Sequence, residues 1–159
     1  MTRFLCIIAF SFFTLSSNAA DTKADSAKAD PDSIFHRIGG QAAIDATVDL
    51  FYSKVLADDR VKHFFEDVNM KRQHNRQKSF IAAALGSPIP YEGKNMRAAH
   101  QQLDLTEEHF GAIAEHLQAS LKELGVEKKV IAEVLAVVAT TKDDVLNRKK
   151  AEQPATGQN

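Results

Sequence analysis

Met96-Arg97-Ala98-Ala99-His100-Gln101-Gln102-Leu103 is the stretch on which the fold turns. Met96, Ala99, His100 and Leu103 recur at i, i+3, i+4 and i+7, the spacing of one helix face. An imidazole therefore lies on the stripe that should face the core. A buried imidazole needs partners for its ring nitrogens, and neutral imidazole is the commonest protein ligand for a transition metal. The neighbouring segments decide whether His100 is a ligand or filler.

Upstream, Gly86-Ser87-Pro88-Ile89-Pro90-Tyr91-Glu92-Gly93 carries too much proline and glycine for regular helix and reads as a loop. Before it, a helix is expected from about Lys71 to Leu85, with Gln73, Gln77, Phe80 and Ala84 on its inward stripe. Asp58-Asp59-Arg60 breaks an earlier helix, whose stripe is Ile44, Val48, Phe51 and Val55 with Tyr52 beside it. Val61, Phe64 and Phe65 then form an aromatic corner. At the start of the core, Ser33 can cap a short helix through Ile34, Phe35 and Ile38, which Gly39-Gly40 ends.

Downstream, Thr106 caps a helix, and Leu105 and Phe110 are placed as a hydrophobic staple. Phe110, Ile113, Ala114, Leu117, Leu121 and Leu124 make its stripe, and Gly125 stops it. Val130, Ile131, Val134, Leu135 and Val138 mark a last long helix, expected to end near Leu146. No alternating strand pattern occurs. Long helices joined by short connections give an all-α fold.

The inward faces have unusual content. Gln73 and Gln77 lie one turn apart on a stripe that continues to Phe80, and each amide left unpaired in a core would cost about 1–3 kcal/mol. Tyr52 adds a phenol and His100 an imidazole on other helices. A cavity holding a polar ligand accounts for all four. So does bonding of each group to backbone or solvent at the edge of the core. The residue pattern alone leaves both open.

The ends and the composition bound the rest. Arg3 precedes the twelve-residue apolar run Phe4–Leu15, too short to span a bilayer, and Ser17-Asn18-Ala19 closes it with a small-x-small pattern. Residues 1–19 read as a cleaved secretory signal, placing the protein in the periplasm or outside the cell without stable membrane association; an uncleaved anchor is the competing reading. The single cysteine, Cys6, falls in the signal, so the mature chain offers no disulfide and no thiolate chemistry. Removing Arg3 leaves 19 basic against 21 acidic residues, which argues against a nucleic-acid partner. Residues 20–32 read as a polar leader and 149–159 as a disordered polar tail. Residues 33–148 form one domain, long enough for a single core.

Taken together, these segments resemble the group I truncated haemoglobins, the two-over-two globins. The likeness runs from Ile34 to Arg148. It rests on Ile38-Gly39-Gly40, on Phe51-Tyr52-Ser53-Lys54-Val55-Leu56-Ala57-Asp58-Asp59, and on Lys62-His63-Phe64-Phe65. Gln73 followed by Gln77-Lys78-Ser79-Phe80, then Tyr91-Glu92-Gly93, continue it. Met96-Arg97-Ala98-Ala99-His100, Glu108-His109-Phe110 and Asp144-Val145-Leu146-Asn147 complete it. No one motif decides the matter; their order and spacing together are specific.

The resemblance implies a two-over-two helical sandwich around one haem b. It makes His100 the proximal ligand of the haem iron, Tyr52 the phenol that donates to bound oxygen, and Gln73 and Gln77 the distal amides that complete that network. Phe64, Phe65, Phe80 and Met96 become haem contacts, and Arg72 a basic position near a propionate. Gly39-Gly40 and Gly93 match glycines that let a shortened chain fold around haem. Arg76 stands where some relatives carry an iron-binding distal histidine, and guanidinium is no iron ligand, so five-coordinate ferrous haem is expected. His74, about 200° around the helix from Arg76, is expected to point elsewhere. Thr141 replaces a histidine that bonds haem covalently in some relatives, so non-covalent haem is expected. The implied ligands are dioxygen, nitric oxide and carbon monoxide. Oxidation of nitric oxide to nitrate would need an unknown external reductase, because the chain carries no flavin or nicotinamide motif. The protein is expected to be a monomer.

Two other readings use the same residues. One is a haem sensor or electron-transfer module, which needs a partner surface; the polar ends give no sign of an output domain. The other is a haem-free helical binding domain with His100 as a satisfied core histidine. The remaining histidines, His36, His63, His74, His109 and His116, read as surface or half-buried residues. His109 and His116 share a face but stand about 10 Å apart along it, too far for one metal.

Overall fold

Ser33 opens the folded core as expected, its hydroxyl accepting from the His36 N–H to cap α1 (Ile34–Arg37). In the computed structural model, which describes residues 30–148, α2 spans Gly40–Val55, α3 Met70–Ala84, α4 Met96–His100, α5 Glu107–Glu123, α6 Lys128–Ala139 and α7 Lys142–Val145. A 3-10 turn, Lys62–Phe65, lies between α2 and α3. Among the described residues there is no strand. The expected signal, most of the leader and the tail lie outside them. No described helix is long and apolar enough to cross a membrane.

The α1–α2 corner is tight because Gly39 and Gly40 both take positive φ, 106° and 67°. Such angles are strained for residues with a Cβ. Asn69, Asn95 and Thr106 cap α3, α4 and α5 through their side chains. At Thr106 the His109 ring answers as an acceptor for the Thr106 N–H, closing a reciprocal cap.

The long helices form two layers. In one α2 lies against α3, in the other α5 lies against α6, and α2 crosses onto α5. This is the two-over-two sandwich expected from the resemblance. Ile44, Val48, Val55, Leu121 and Val134 are fully buried between the layers. Their burial supplies the main driving force for folding. Ion pairs at the rim join Arg37 to Glu133 and Lys54 to Glu123.

Several expected positions are corrected. Ala84 is exposed, and the apolar contacts of α3 near its end are made by Ile81, Ala82 and Leu85. Leu124 is 43% exposed, because the chain turns at Gly125 just beyond it. Ala99 is also exposed and Leu103 is 38% exposed, since α4 ends at His100 and Leu103 lies beyond it. The last long helix is two helices. The hydroxyls of Thr140 and Thr141 bond back to the carbonyls of Val137 and Val138 and interrupt the helical ladder there.

Thr47 lies in α2 with its hydroxyl buried and without a hydrogen-bond partner among the described residues. Valine has nearly the same shape and no polar atom to desolvate. Thr47→Val is expected to raise stability by about 1 kcal/mol, read as a higher urea midpoint with unchanged slope. A lower midpoint would show that the hydroxyl has a partner in solution.

The turn after α2 is clasped to α5 by Asp58. Its carboxylate accepts from the Arg60 backbone N–H at 2.9 Å, from the Arg60 guanidinium at 2.7 Å and from His116 Nε2–H at 2.7 Å. The Arg60 guanidinium and backbone N–H, with His116, hold this carboxyl well below the usual carboxylate range despite opposition from partial burial. A folded-state value below the unfolded one means that the stabilisation is complete at neutral pH. It is lost as pH falls below the ordinary carboxylate range of about 4. Asp58→Asn should therefore lower the thermal midpoint at pH 7, and the gap to wild type should shrink towards pH ~3. Parallel curves over that range would show that the charge of Asp58 is immaterial.

Candidate functional site

His100 is the last residue of α4 and is half-buried. Its Nδ1 lies 2.7 Å from the Met96 carbonyl oxygen. A carbonyl only accepts, so Nδ1 carries a hydrogen, and in the neutral ring Nε2 is then the bare lone pair through which imidazole binds a metal. The helix bearing it is lashed to α7. Arg97 donates to Asp144 Oδ1 at 2.9 Å and to the Arg148 carbonyl at 2.6 Å. Glu107 at the start of α5 pairs with Lys142 and Arg148 on the same side. A five-residue helix is too short to hold its own geometry, and these bonds fix it from outside.

Tyr52, on α2, is only 2% exposed. Gln73 Nε2–H, from α3, donates to the Tyr52 hydroxyl oxygen at 2.9 Å. The phenolic hydrogen of Tyr52 has no acceptor among the described residues. A buried O–H without an acceptor is costly, so this one suits a ligand that accepts. Burial pushes the Tyr52 phenol up to about 12, against a smaller opposing pull from the Gln73 N–H. It is a neutral donor throughout the physiological range.

Phe65 meets the Tyr52 ring edge-on at 5.7 Å, and Phe51 does so at 5.0 Å. Gln77 is half-buried one turn along from Gln73, with no side-chain hydrogen bond among the described residues. Phe80 is half-buried and packs edge-on against Tyr91 at 5.4 Å. A Cβ on Gly93 would lie 2.0 Å from the Tyr91 hydroxyl, so any larger residue there would have to displace the Tyr91 ring from its place against Phe80. Phe64 packs on His63 and His109, and Met96 is half-buried. Arg72 and Arg76 are exposed on α3.

The structure thus brings Tyr52, Gln73 and Phe65 into one cluster. No hydrogen bond or ring contact among the described residues links that cluster to His100. Together the two sets of groups nonetheless fit haem: a buried phenolic hydrogen in want of an acceptor, an imidazole whose Nε2 has no partner among the described residues, and half-buried aromatic side chains between them in sequence.

His74 is half-buried and turned away from Arg76, as the sequence suggests, but its contact with Tyr52 is a feature the sequence reading missed. Its ring stacks on Tyr52 at 4.5 Å and 15°, and its Nδ1 lies 3.1 Å from Asp49 Oδ1. An angle of about 200° from Arg76 leaves open what His74 meets on α2. One pattern does point to the contact: Asp45 and Asp49 stand four apart on α2, as His74 and Lys78 do on α3. Two helix stripes of complementary charge are placed to face one another. Arg97 was also missed, because its partners lie 47 and 51 residues away.

Comparison with known proteins identifies the family. Residues 33–147 match the family described as bacterial-like globin. A group 1 truncated hemoglobin from Tetrahymena thermophila is 50% identical over 115 residues, covering 72% of this chain and 95% of that one. The solved Fe(III) form of truncated hemoglobin from Tetrahymena pyriformis superposes with a TM-score of 0.70 at 48% identity, covering 72% of this chain and 97% of that one. That protein has also been solved with one tyrosine replaced by phenylalanine, and with either of two glutamines replaced by glutamate. The 2/2 hemoglobin of a Synechococcus strain, solved in the cyanomet state with covalently attached heme, gives 0.71 at 45% identity over 73% of this chain and 99% of that one. Fold and sequence agree: the chain belongs to the bacterial-like globins, as a group 1 truncated haemoglobin of the two-over-two kind.

Proposed function

We propose that the mature protein binds one haem b non-covalently and holds dioxygen reversibly, with nitric oxide and carbon monoxide as further ligands. The observation that carries this reading is the buried Tyr52 phenol, oriented by Gln73, with its hydrogen unspent. When bound, haem supplies the iron at which a diatomic gas coordinates and at which nitric oxide can be oxidised to nitrate. His100 offers Nε2 to that iron, and its Nδ1–H bond to Met96 prevents the ring from turning away. Tyr52 donates its hydrogen to the gas, while Gln73 fixes the phenolic oxygen. The free amide of Gln77 can add a second donor. Phe64, Phe65, Phe80 and Met96 contribute apolar contact to the porphyrin, and Arg72 a charge for a propionate.

Supporting this assignment, the tyrosine and two glutamines varied in the Tetrahymena pyriformis protein stand 21 and 4 residues apart in that chain. Tyr52, Gln73 and Gln77 keep the same intervals. Exposed Arg76 is no iron ligand, which favours a five-coordinate ferrous state. Thr141 spends its hydroxyl on the Val138 carbonyl and has no imidazole to offer a vinyl group, which favours non-covalent haem. The apolar run of residues 4–15 supports export to the periplasm or beyond, where turnover of nitric oxide would draw on an external reductase.

The test is an absorption spectrum of the mature protein loaded with haem, reduced and then exposed to carbon monoxide. A stoichiometric Soret band that shifts with carbon monoxide is expected, and acid extraction with organic solvent should release all of the haem. No stoichiometric binding would return the chain to haem-free helical domains. Nitrate production from nitric oxide in repeated cycles, with a chemical reductant, would separate turnover from storage.

A further inference from the structure

We propose that His74 is a positioning residue for gas binding: its imidazole, oriented by Asp49, lies face to face on the Tyr52 ring and holds the phenolic hydroxyl on one line. This rests on the reading of Tyr52 as the distal donor.

The geometry is an interlock of two helices. From α2 come Asp49 and Tyr52, three residues apart and so on one face. From α3 come His74 and Lys78, four apart and likewise on one face. The imidazole is nearly parallel to the phenol, 15° between planes at 4.5 Å between centroids, a stacking distance. Its Nδ1 is held by Asp49 Oδ1 at 3.1 Å, and Lys78 Nζ holds the same oxygen at 3.0 Å. Asp45 stands one turn back, 4.0 Å from Lys78. The Lys78 ammonium first, and then His74, draw the Asp49 carboxyl below its ordinary range, so it serves as an ionised acceptor.

Other neighbours constrain Tyr52 differently. Phe51 and Phe65 present edges to the ring, and Gln73 fixes its oxygen. None of these covers a face of the ring in parallel; among the aromatic rings of the described residues, His74 does. A phenol that can tilt spreads its hydroxyl over several directions and weakens a directional hydrogen bond. A phenol pressed against a flat neighbour does not. Gln73 and His74 are adjacent in sequence, so one turn of α3 sets both the oxygen and the plane of the donor.

The experiment is a double-mutant cycle on the haem-loaded protein: wild type, His74→Ala, Tyr52→Phe and the double variant. Dioxygen dissociation is measured by displacement with carbon monoxide. His74→Ala is expected to speed dissociation about three- to tenfold, and the same change in the Tyr52→Phe background to alter it less than about twofold. His74→Phe, which keeps a flat ring, should stay closer to wild type than His74→Ala. A second readout is ultraviolet resonance Raman, which in a chain with two tyrosines and no tryptophan reports Tyr52 and Tyr91. Tyrosine bands should shift in His74→Ala.

An alanine rate within twofold of wild type overturns the proposal. So does an equal acceleration in both backgrounds, which would make His74 act independently of Tyr52. If the alanine variant does not fold, His74→Leu preserves volume while removing the plane and gives the same comparison. A carbon monoxide-induced Soret shift in every variant keeps failure of this proposal distinct from failure of the gas-binding reading.

Discussion

His100→Ala is expected to abolish stable haem ligation. The wild-type imidazole is prepared for the iron by two features. Its Nδ1–H bond to the Met96 carbonyl fixes the tautomer, and its helix is held to α7 by Arg97. Among the described residues, none of the other histidines combines such a bond to a backbone carbonyl with a place on the helix held by Arg97. His36 is bonded to Ser33, His109 to the Thr106 N–H, His116 to Asp58 and His74 to Asp49. His63 is exposed beside Phe64. Removing the ligand itself should exceed the roughly 10–100-fold loss that follows removal of a supporting hydrogen bond in a metal site.

Haem titration followed at the Soret band measures this directly. The variant should bind weakly, without the sharp reduced spectrum of wild type. Its thermal midpoint should gain little from haem, because a ligand stabilises a fold only as far as it binds that fold. Added imidazole should restore the band in His100→Gly, where the vacated space admits it. A His100→Ala spectrum indistinguishable from wild type would remove His100 as the iron ligand.

The legibility of this chain in its sequence varies with the range of the interactions. Helix beginnings were readable because caps act within four residues: Ser33 and Thr106 behave as their spacing implies. The two-over-two arrangement followed from the resemblance together with stripes such as Ile44 to Val55. Position within a stripe was less secure. Leu124 and Leu103 are apolar at helical spacing, yet lie where the helix ends, and periodicity does not register that the partner layer has stopped. The α6–α7 break escaped because threonine back-bonding competes with the helix only weakly. Long-range side-chain pairs were least legible. The Tyr52–His74 stack and the Arg97–Asp144 bond join residues far apart in sequence, and only a fold can bring them together.

Tyr52→Phe is expected to accelerate dioxygen release more than any other single change on the distal side. The phenol is buried, neutral because burial raises it to about 12, and oriented by Gln73 with its hydrogen available. Dioxygen held at a ferrous centre takes on negative charge, and a hydrogen bond to a charged acceptor is worth about 1.5–3 kcal/mol. Its loss corresponds to about a 10- to 150-fold faster dissociation. Carbon monoxide takes on much less charge, so its dissociation should change far less. The ratio of the two rates therefore isolates the hydrogen bond from any general loosening of the pocket. Gln73 loses its acceptor in the variant and can turn its amide towards the gas, as can Gln77, which would bring the change towards the lower end of that range. Tyr52→Phe combined with Gln73→Leu should then exceed Tyr52→Phe alone. Stopped-flow displacement on the loaded protein decides the matter. A dioxygen rate within twofold of wild type, or equal changes for both gases, would mean that the buried phenol serves packing, and that the distal donor is one of the amides.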